Sequence, residues 1–254
     1  MIRELDAHAG HRVRVASWVR WLVVGGAVAA VAVFAITAAL LEDRPTGIDL
    51  DVEDSVAERP EPLVFLLPMK VFAVASSAKG AFFLLLAVGL FFAFRRRDHL
   101  PGVLIGLGFI GVAASSAVLK AVFARPTPGD WAAGDLTGES FPSGHMAQAV
   151  AVWGIVALVL AMDRPSGRGR RAIVAAAALL IAGAAVSRVF LEAHWLTDVI
   201  AGAALGVFWL ALVAALAFRL RAGRPRSRRA EDPGTRQGFA DGEERRVDEP
   251  RRSA

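Results

Sequence analysis

Long apolar runs constrain the fold of this chain more than any other feature of its sequence. A hydrocarbon core about 30 Å thick is crossed by a helix of roughly 20 apolar residues. Six runs approach or exceed that length, and they are Leu22–Leu41, Val71–Phe94, Pro101–Ala124, Met146–Met162, Ala172–Phe190 and Leu196–Phe218. The sequence therefore predicts an all-α fold, in which a bundle of six transmembrane helices occupies residues 22–218.

The first apolar run allows two interpretations. Its end is rich in small residues, Ala35-Ile-Thr-Ala-Ala39, which suits the cleavage site of a signal peptide. The 21 residues before the run form a longer segment than the one that usually precedes the apolar core of a signal peptide, and they include Glu4 and Asp6. That comparison favours an uncleaved membrane anchor.

Basic residues are concentrated in every second connection between the runs. Arg95, Arg96 and Arg97 follow the second run, four arginines lie within 163–171, and eleven lie beyond the sixth run. Eight acidic residues instead fall in segment 42–62. Because positive charge is retained on the cytoplasmic side of a membrane, we predict a multi-pass protein of the cell membrane with both termini in the cytoplasm, including segment 1–21. The loops before the second, fourth and sixth runs then face outward.

The C-terminal segment 219–254 has a different composition from the rest of the chain. It contains few apolar side chains, which predicts a disordered cytoplasmic tail. The whole chain has a formal net charge of +5 and a pI of about 10.8. Since most basic residues lie in turns and tails that orient the helices, this charge does not indicate a nucleic-acid surface. The absence of cysteine excludes disulfides, thiolate nucleophiles and cysteine-ligated metals.

Several charged or titratable residues lie near the outward ends of the predicted spans. They are Lys120, His145, Arg188, His194 and Asp198. Charged groups within spans are costly and are usually retained for function. The topology alone therefore brings two histidines, two cations and a carboxylate to one face of the membrane.

The segment Ser187–Asp198 combines groups suited to phosphate chemistry. His194 and Asp198 are four residues apart and share one face of a helix. A carboxylate in that position can fix the imidazole tautomer and leave the other ring nitrogen to attack. Arg188 offers a planar fork of donors for phosphate oxygens. The alternative is an interfacial His–Asp pair beside an arginine that reaches toward the headgroups.

The segment Pro142-Ser-Gly-His145 precedes the fourth run. Ser143 can cap a helix, Gly144 lets a ligand approach the backbone, and free amides at a helix start bind anions. His145 is then placed to protonate a leaving oxygen. Lys120 and Arg125, at the end of the third run, can add positive charge. The alternatives are a simple turn into a helix and a pair of snorkelling cations.

Together these segments resemble the type 2 phosphatidic acid phosphatase superfamily, membrane relatives of vanadium haloperoxidases and bacterial acid phosphatases. Its pattern is Lys-x6-Arg-Pro, then Pro-Ser-Gly-His, then Ser-Arg-x5-His-x3-Asp. Residues Pro142–His145 and Ser187–Asp198 match the second and third motifs in full. The first motif departs from the pattern, because Thr127 stands where the arginine is expected and Arg125 lies two residues earlier.

The resemblance implies a phosphatase that acts through a phosphohistidine. His194 would attack phosphorus, Asp198 would orient it, and His145 would protonate the leaving group. The phosphate oxygens would be bound by cationic side chains and backbone, namely Lys120, Arg125, Arg188 and the Ser143–Gly144 segment. It implies no metal and no cofactor. Either Arg125 replaces the missing arginine, or the site binds phosphate with one cation fewer.

A site at helix ends on the outer face can bind a lipid headgroup while the acyl or prenyl chains stay in the bilayer. We therefore predict a lipid phosphate or diphosphate as substrate, and phosphatidic acid, phosphatidylglycerol phosphate and prenyl diphosphates all satisfy the chemistry. Two alternatives stay open at this point. One is a lipid phosphotransferase, and the other is a non-catalytic lipid-binding membrane protein with a degenerate first motif.

Overall fold

The computed structural model describes residue 21 and residues 23–40, 45–57, 63–133, 138–162 and 167–222. By its internal contacts the chain divides into two units, residues 1–219 and 220–254. The predicted cytoplasmic segment 1–21 lies outside the described residues except at Trp21. The predicted disordered tail also lies outside them, except at residues 219–222, where the last helix continues.

Helices make up the regular structure of the described residues, which contain no β-strand. The all-α prediction is therefore confirmed. In chain order the helices are α1 (Val23–Ala39), α2 (Gly47–Ala57), α3 (Leu63–Ser76), α4 (Ala78–Leu90), α5 (Leu100–Phe123), α6 (Pro128–Ala132), α7 (Gly144–Gln148), α8 (Gly154–Met162), α9 (Arg168–Phe190) and α10 (Leu196–Ala222). Two π-helical turns, Phe91–Arg95 and Ala149–Trp153, extend α4 and join α7 to α8.

Five helical segments of the described chain are long and apolar enough to cross a membrane. They are Ala78–Arg95, Leu100–Asp130, Gly144–Ala161, Arg168–Phe190 and Leu196–Leu220. The first predicted span coincides with α1, a shorter apolar helix. The structure thus supports a multi-pass membrane protein with five clear candidate spans, and the sixth stays a prediction.

The second predicted span, Val71–Phe94, is wrong as one continuous helix. The chain breaks between α3 and α4 at Ser77, whose hydroxyl donates to the Val74 carbonyl and accepts from the Gly80 amide. A Cβ at Gly80 would lie 2.2 Å from the Val74 oxygen, so the turn needs glycine there. Serine hydroxyls can bond to backbone groups that would otherwise pair within the helix. The pattern of apolar residues does not reveal such a competition. The candidate span consequently begins at Ala78.

The main core lies where α4, α5, α8 and α10 meet. Leu104 and Ile105 of α5, Ile155 of α8 and Val213 of α10 are buried there. Glycines permit close approach, because a Cβ at Gly111 would lie 2.4 Å from a Trp209 ring atom. Small residues at helix contacts are typical of membrane bundles, in which packing rather than exclusion of water holds helices together.

The directions of the helices gather all three motifs at one end of the bundle. The C-terminal ends of α5 and α9 and the N-terminal ends of α7 and α10 carry the motif residues. The arginine clusters lie away from the motifs: residues 95–97 end and follow the π-helical turn after α4 and precede α5, and residues 168–171 start α9. The packing of α5, α7, α9 and α10 therefore positions the site.

We expect Gly206→Ala to destabilise the protein by about 1–3 kcal/mol, the usual cost of overpacking a core. A Cβ at Gly206 would lie 2.6 Å from Val150 Cβ and 2.7 Å from the Ala147 carbonyl oxygen, which are rigid parts of the neighbouring helix. Thermal unfolding in detergent measures the effect. Gly106→Ala is the matched control, since nothing lies within 4 Å of its Cβ position. Equal melting temperatures for the two variants would contradict this account of the packing.

Candidate active site

The two histidines of the second and third motifs face each other. The ring centroids of His145 and His194 are 6.5 Å apart. Arg188 and Lys120 lie close enough to His145 to act on its charge. The predicted convergence of these four side chains therefore occurs.

The Pro-Ser-Gly-His segment forms the start of α7. Ser143 is the N-cap, and its hydroxyl accepts from the Met146 amide at 3.4 Å. The Ser143 amide donates to the Asp198 carbonyl oxygen at 3.0 Å, so it is already used within the protein. The Gly144 amide has no partner among the described residues. Of the two backbone amides predicted to bind phosphate, the structure leaves that of Gly144 available.

Glycines allow the backbone of α7 to lie against its neighbours. A Cβ at Gly202 of α10 would lie 2.4 Å from the Ser143 carbonyl oxygen. A Cβ at Gly144 would lie 3.1 Å from the hydroxyl oxygen of Ser116 and 3.9 Å from Cε of Lys120. The space beside Gly144, which was predicted to admit a ligand, is therefore bordered by side chains of α5. The absence of a Cβ there lets the Lys120 side chain lie at the start of α7.

The first turn of α10 fixes Asp198 relative to His194. Oδ2 of Asp198 accepts from the Trp195 amide at 2.9 Å, as the third residue of a helix does in a capping box. Nδ1 of His194 lies 3.7 Å from the same oxygen. That separation fits an ion pair but exceeds a hydrogen bond, and Nδ1 has no hydrogen-bond partner among the described residues. Catalytic contacts of this kind often shorten only when substrate binds.

Arg188 is a buried cation without a counter-charge in the described part of the chain. Only 6% of the residue is exposed, and its Nε has no hydrogen-bond partner there. No carboxylate of the described residues forms an ion pair with it. Lys120 is held differently, since its Nζ donates to the Glu139 carbonyl oxygen. A buried, unpaired guanidinium is costly, and an anion removes that cost.

Arg125 lies between two carboxylates. Its Nη1 is 2.5 Å from Oδ1 of Asp198 and 2.8 Å from the Thr197 hydroxyl, and its Nη2 is 2.9 Å from Oδ2 of Asp49. The guanidinium carbon also lies 5.6 Å from the ring centroid of Trp195. Arg125 is thus buried in contact with the carboxylate that lies beside His194, and both of its terminal nitrogens are occupied.

Sequence reasoning missed the role of Asp49, which it counted only among the acidic residues of an outer loop. Asp49 is fully buried, and it accepts from the amide and the hydroxyl of Thr197 as well as from Arg125. Burial raises the pKa of Asp49, but hydrogen bonds from Thr197, Arg125 and Thr46 outweigh it and hold that pKa below its usual value. The spacing Thr46-x-x-Asp49 is a capping signal that predicts the start of α2. It does not predict which residues of another helix the carboxylate also contacts.

Thr127, at the position of the expected arginine, caps the short helix α6. Its hydroxyl donates to the Asp130 carboxylate at 2.6 Å and accepts from the Asp130 amide at 3.2 Å. The side chain at this position therefore serves local structure. No group of three or more histidine, aspartate or glutamate side chains suited to a metal ion occurs in the described part of the chain.

Comparisons with known proteins agree with the motifs. Residues 101–222 match the family model of the PAP2 superfamily. The chain is 29% identical over 140 residues to phosphatidylglycerophosphatase B of Bacillus subtilis (strain 168), an alignment that covers 55% of this chain and 68% of that protein.

Two solved structures share the fold. The transmembrane PAP2-type phosphatidylglycerolphosphate phosphatase from Bacillus subtilis is similar with a TM-score of 0.69 and 23% identity, over 78% of this chain and 98% of that one. LpxE of Aquifex aeolicus is similar with a TM-score of 0.51 and 20% identity, over 67% of this chain and 96% of that one. The predicted family resemblance is thus confirmed by sequence and by fold.

Proposed function

We propose that the chain is a PAP2-superfamily phosphatase of the membrane that hydrolyses a lipid phosphate or diphosphate through a phosphohistidine. The observation that carries the proposal is the pairing of His145 and His194, whose ring centroids are 6.5 Å apart, beside the buried Arg188, which has no ion-pair partner in the described residues. A protein that only binds lipid has no use for a second histidine opposite the first.

In the first step, Nε2 of His194 attacks phosphorus. The Nδ1 side of the ring faces Asp198, whose carboxylate stabilises the positive charge that develops on the imidazole. The P–O bond to the leaving group breaks, and His145 on the opposite side gives its proton to that oxygen. The products of the step are a phosphohistidine and the lipid alcohol, or a lipid monophosphate where the substrate is a diphosphate.

In the second step, water replaces His194 on phosphorus. His145, now neutral, accepts a proton from the water as its oxygen bonds to phosphorus and the P–N bond breaks. Inorganic phosphate leaves, and both histidines return to their starting states. Lys120, Arg188 and the Gly144 amide stabilise the charge on the non-bridging oxygens in both transition states. These groups belong to the protein, so the proposal assigns no step to a metal.

A lipid substrate fits the position of the site at the ends of membrane-crossing helices. Large apolar side chains around the bundle are exposed, among them Val118 and Val122 on the last turns of α5. Lipid chains can lie against such surfaces while the headgroup reaches the histidines. The name of the Bacillus subtilis relative specifies phosphatidylglycerophosphate, which makes this lipid the first substrate to test, with phosphatidic acid and prenyl diphosphates beside it.

We expect the purified protein in detergent to release phosphate from at least one of these lipids with EDTA present. His194→Ala should lower the rate by roughly 10³-fold or more, since it removes the nucleophile. His99→Ala is the matched control, because His99 is exposed at the opposite end of α5. No release from any lipid, or equal release by His194→Ala, would contradict the proposal. Transfer of phosphate to an added lipid alcohol in preference to water would favour the phosphotransferase.

The site faces outward in this proposal, with both chain termini in the cytoplasm. The motif residues follow or end α5 and α9 and start α7 and α10, whereas the arginine clusters precede α5 and start α9, and this separation supports that orientation. The chain has no cysteine, so single cysteines report topology without background. We expect a membrane-impermeant maleimide to label Asp54→Cys on α2 in intact cells and to leave Arg96→Cys unlabelled until the cells are opened. The reverse pattern would invert the topology.

Thr127→Arg tests whether the site lacks one phosphate ligand. Hydrogen bonds to charged groups contribute about 1.5–3 kcal/mol, so we expect kcat/KM to rise by roughly tenfold. Thr127→Val is the control, because it removes the same cap on α6 without adding charge. A rate for Thr127→Arg no higher than that of Thr127→Val would show that the site gains nothing from the family's arginine.

A further inference from the structure

We propose that Asp49 is a positioning residue for the nucleophile, and that it acts through Arg125. In this arrangement Arg125 holds the orienting carboxylate of Asp198 and does not bind the phosphate. The inference rests on the lipid phosphatase proposed above. It connects the outer-loop helix α2 to the chemistry at His194.

The contacts form a continuous chain from α2 to the nucleophile. Asp49 is joined to Arg125 at 2.9 Å, Arg125 to Asp198 at 2.5 Å, and Asp198 lies 3.7 Å from Nδ1 of His194. Asp49 also accepts from the Thr197 amide at 2.9 Å. That amide belongs to the first turn of α10, where backbone N–H groups have no partner within the helix. Asp49 therefore caps, from a distant part of the chain, the helix that carries Asp198.

The orientation of Asp198 is fixed through both of its oxygens. Oδ1 is held by Arg125, and Oδ2 accepts from the Trp195 amide and faces Nδ1 of His194. Without Arg125, the Trp195 amide alone holds the carboxylate, which then has more freedom to rotate about its last bond and to turn Oδ2 away from the imidazole. Because His194 is 9% exposed and its Nδ1 has no hydrogen-bond partner in the described chain, Asp198 is the group placed to orient it.

The charges of the cluster explain why two carboxylates share one guanidinium. An ion pair of Arg125 and Asp198 alone has no net charge. In such a pair the arginine cancels the negative charge with which Asp198 would stabilise the His194 imidazole. Asp49 supplies a second negative charge, so the three side chains together carry −1. That surplus lies next to the imidazole on which positive charge develops during attack, in surroundings that exclude water and strengthen electrostatic interactions.

The two arginines of the site differ in what they already bind. Both terminal nitrogens of Arg125 contact carboxylates or Thr197, and only its Nε lacks a partner in the described residues. Arg188 has no such partner in the described residues. Transfer of Arg125 to a phosphate would leave two buried carboxylates without their cation, which is strongly unfavourable. Arg188 breaks no ion pair of the described residues when it binds an anion. We therefore assign the phosphate contact to Arg188.

The test compares Asp49→Asn, Arg125→Gln and the double variant on the lipid that the wild type hydrolyses. Asparagine keeps an oxygen for the Thr197 amide, but it removes the charge and replaces the oxygen that accepts from Arg125 by an NH2 group. We expect Asp49→Asn to lower kcat about 10- to 100-fold, as loss of a group that supports a catalytic ligand does, with KM and inhibition by inorganic phosphate unchanged. Asp51→Asn is the control, since Asp51 is exposed on the same helix. All rates are measured well below the lowest melting temperature of the set.

Three further results decide the proposal. Arg125→Gln should lower kcat without weakening inhibition by inorganic phosphate, whereas Arg188→Met should weaken it. Asp49→Asn should have no further effect in the Arg125→Gln background, because the two residues act in series. The rate of phosphohistidine formation in a rapid quench should fall in Asp49→Asn, a change that a loss of stability alone does not produce.

The proposal is overturned if Asp49→Asn retains wild-type kcat, if its effect is the same with and without Arg125, or if Arg125→Gln weakens phosphate inhibition as Arg188→Met does. A wild-type protein that hydrolyses no lipid contradicts the proposed function itself. If the wild type is active and Asp49→Asn has the same kcat, only the positioning role of Asp49 is contradicted.

Discussion

The guanidinium of Arg125, shared by two buried carboxylates, connects more of this structure than any other group. It joins the end of α5 to the first turn of α10 and to α2. Removing one member of a buried ionic cluster costs about 3–5 kcal/mol, because it leaves an uncompensated charge. The same cluster that fixes these three helices therefore also fixes the direction of Asp198.

Close helix contacts make that arrangement possible. Gly202 lets the backbone of α10 approach the Ser143 carbonyl, and the Ser143 amide in turn donates to the Asp198 carbonyl. The start of α7, which carries His145, is thus hydrogen-bonded directly to the first turn of α10, next to His194. Positions of catalytic groups must hold within fractions of an ångström. Backbone-to-backbone contact between two helix ends provides that precision better than long side chains do.

Sequence reasoning identified the chemistry and most of the site but not its connections. The motif spacing predicted the meeting of Lys120, His145, Arg188, His194 and Asp198, because helix ends on one membrane face must lie close together. It predicted Arg125 as a phosphate ligand, and it did not predict the contacts of Arg125 with Asp49 and Asp198, because charge and proximity in sequence do not show which anion a guanidinium will meet. The break at Ser77 was missed for a similar reason: apolar periodicity is the same on both sides of it.

The sequence by itself determined the membrane character, the helical class and the residue types available for phosphate chemistry. These follow from local rules, since the bilayer demands long apolar helices and the motifs lie within a few residues of their ends. Only the tertiary structure decided that Asp49, 149 positions before Asp198, shares Arg125 with it. Contacts between distant segments depend on how the helices pack in three dimensions, and no spacing along the chain encodes them.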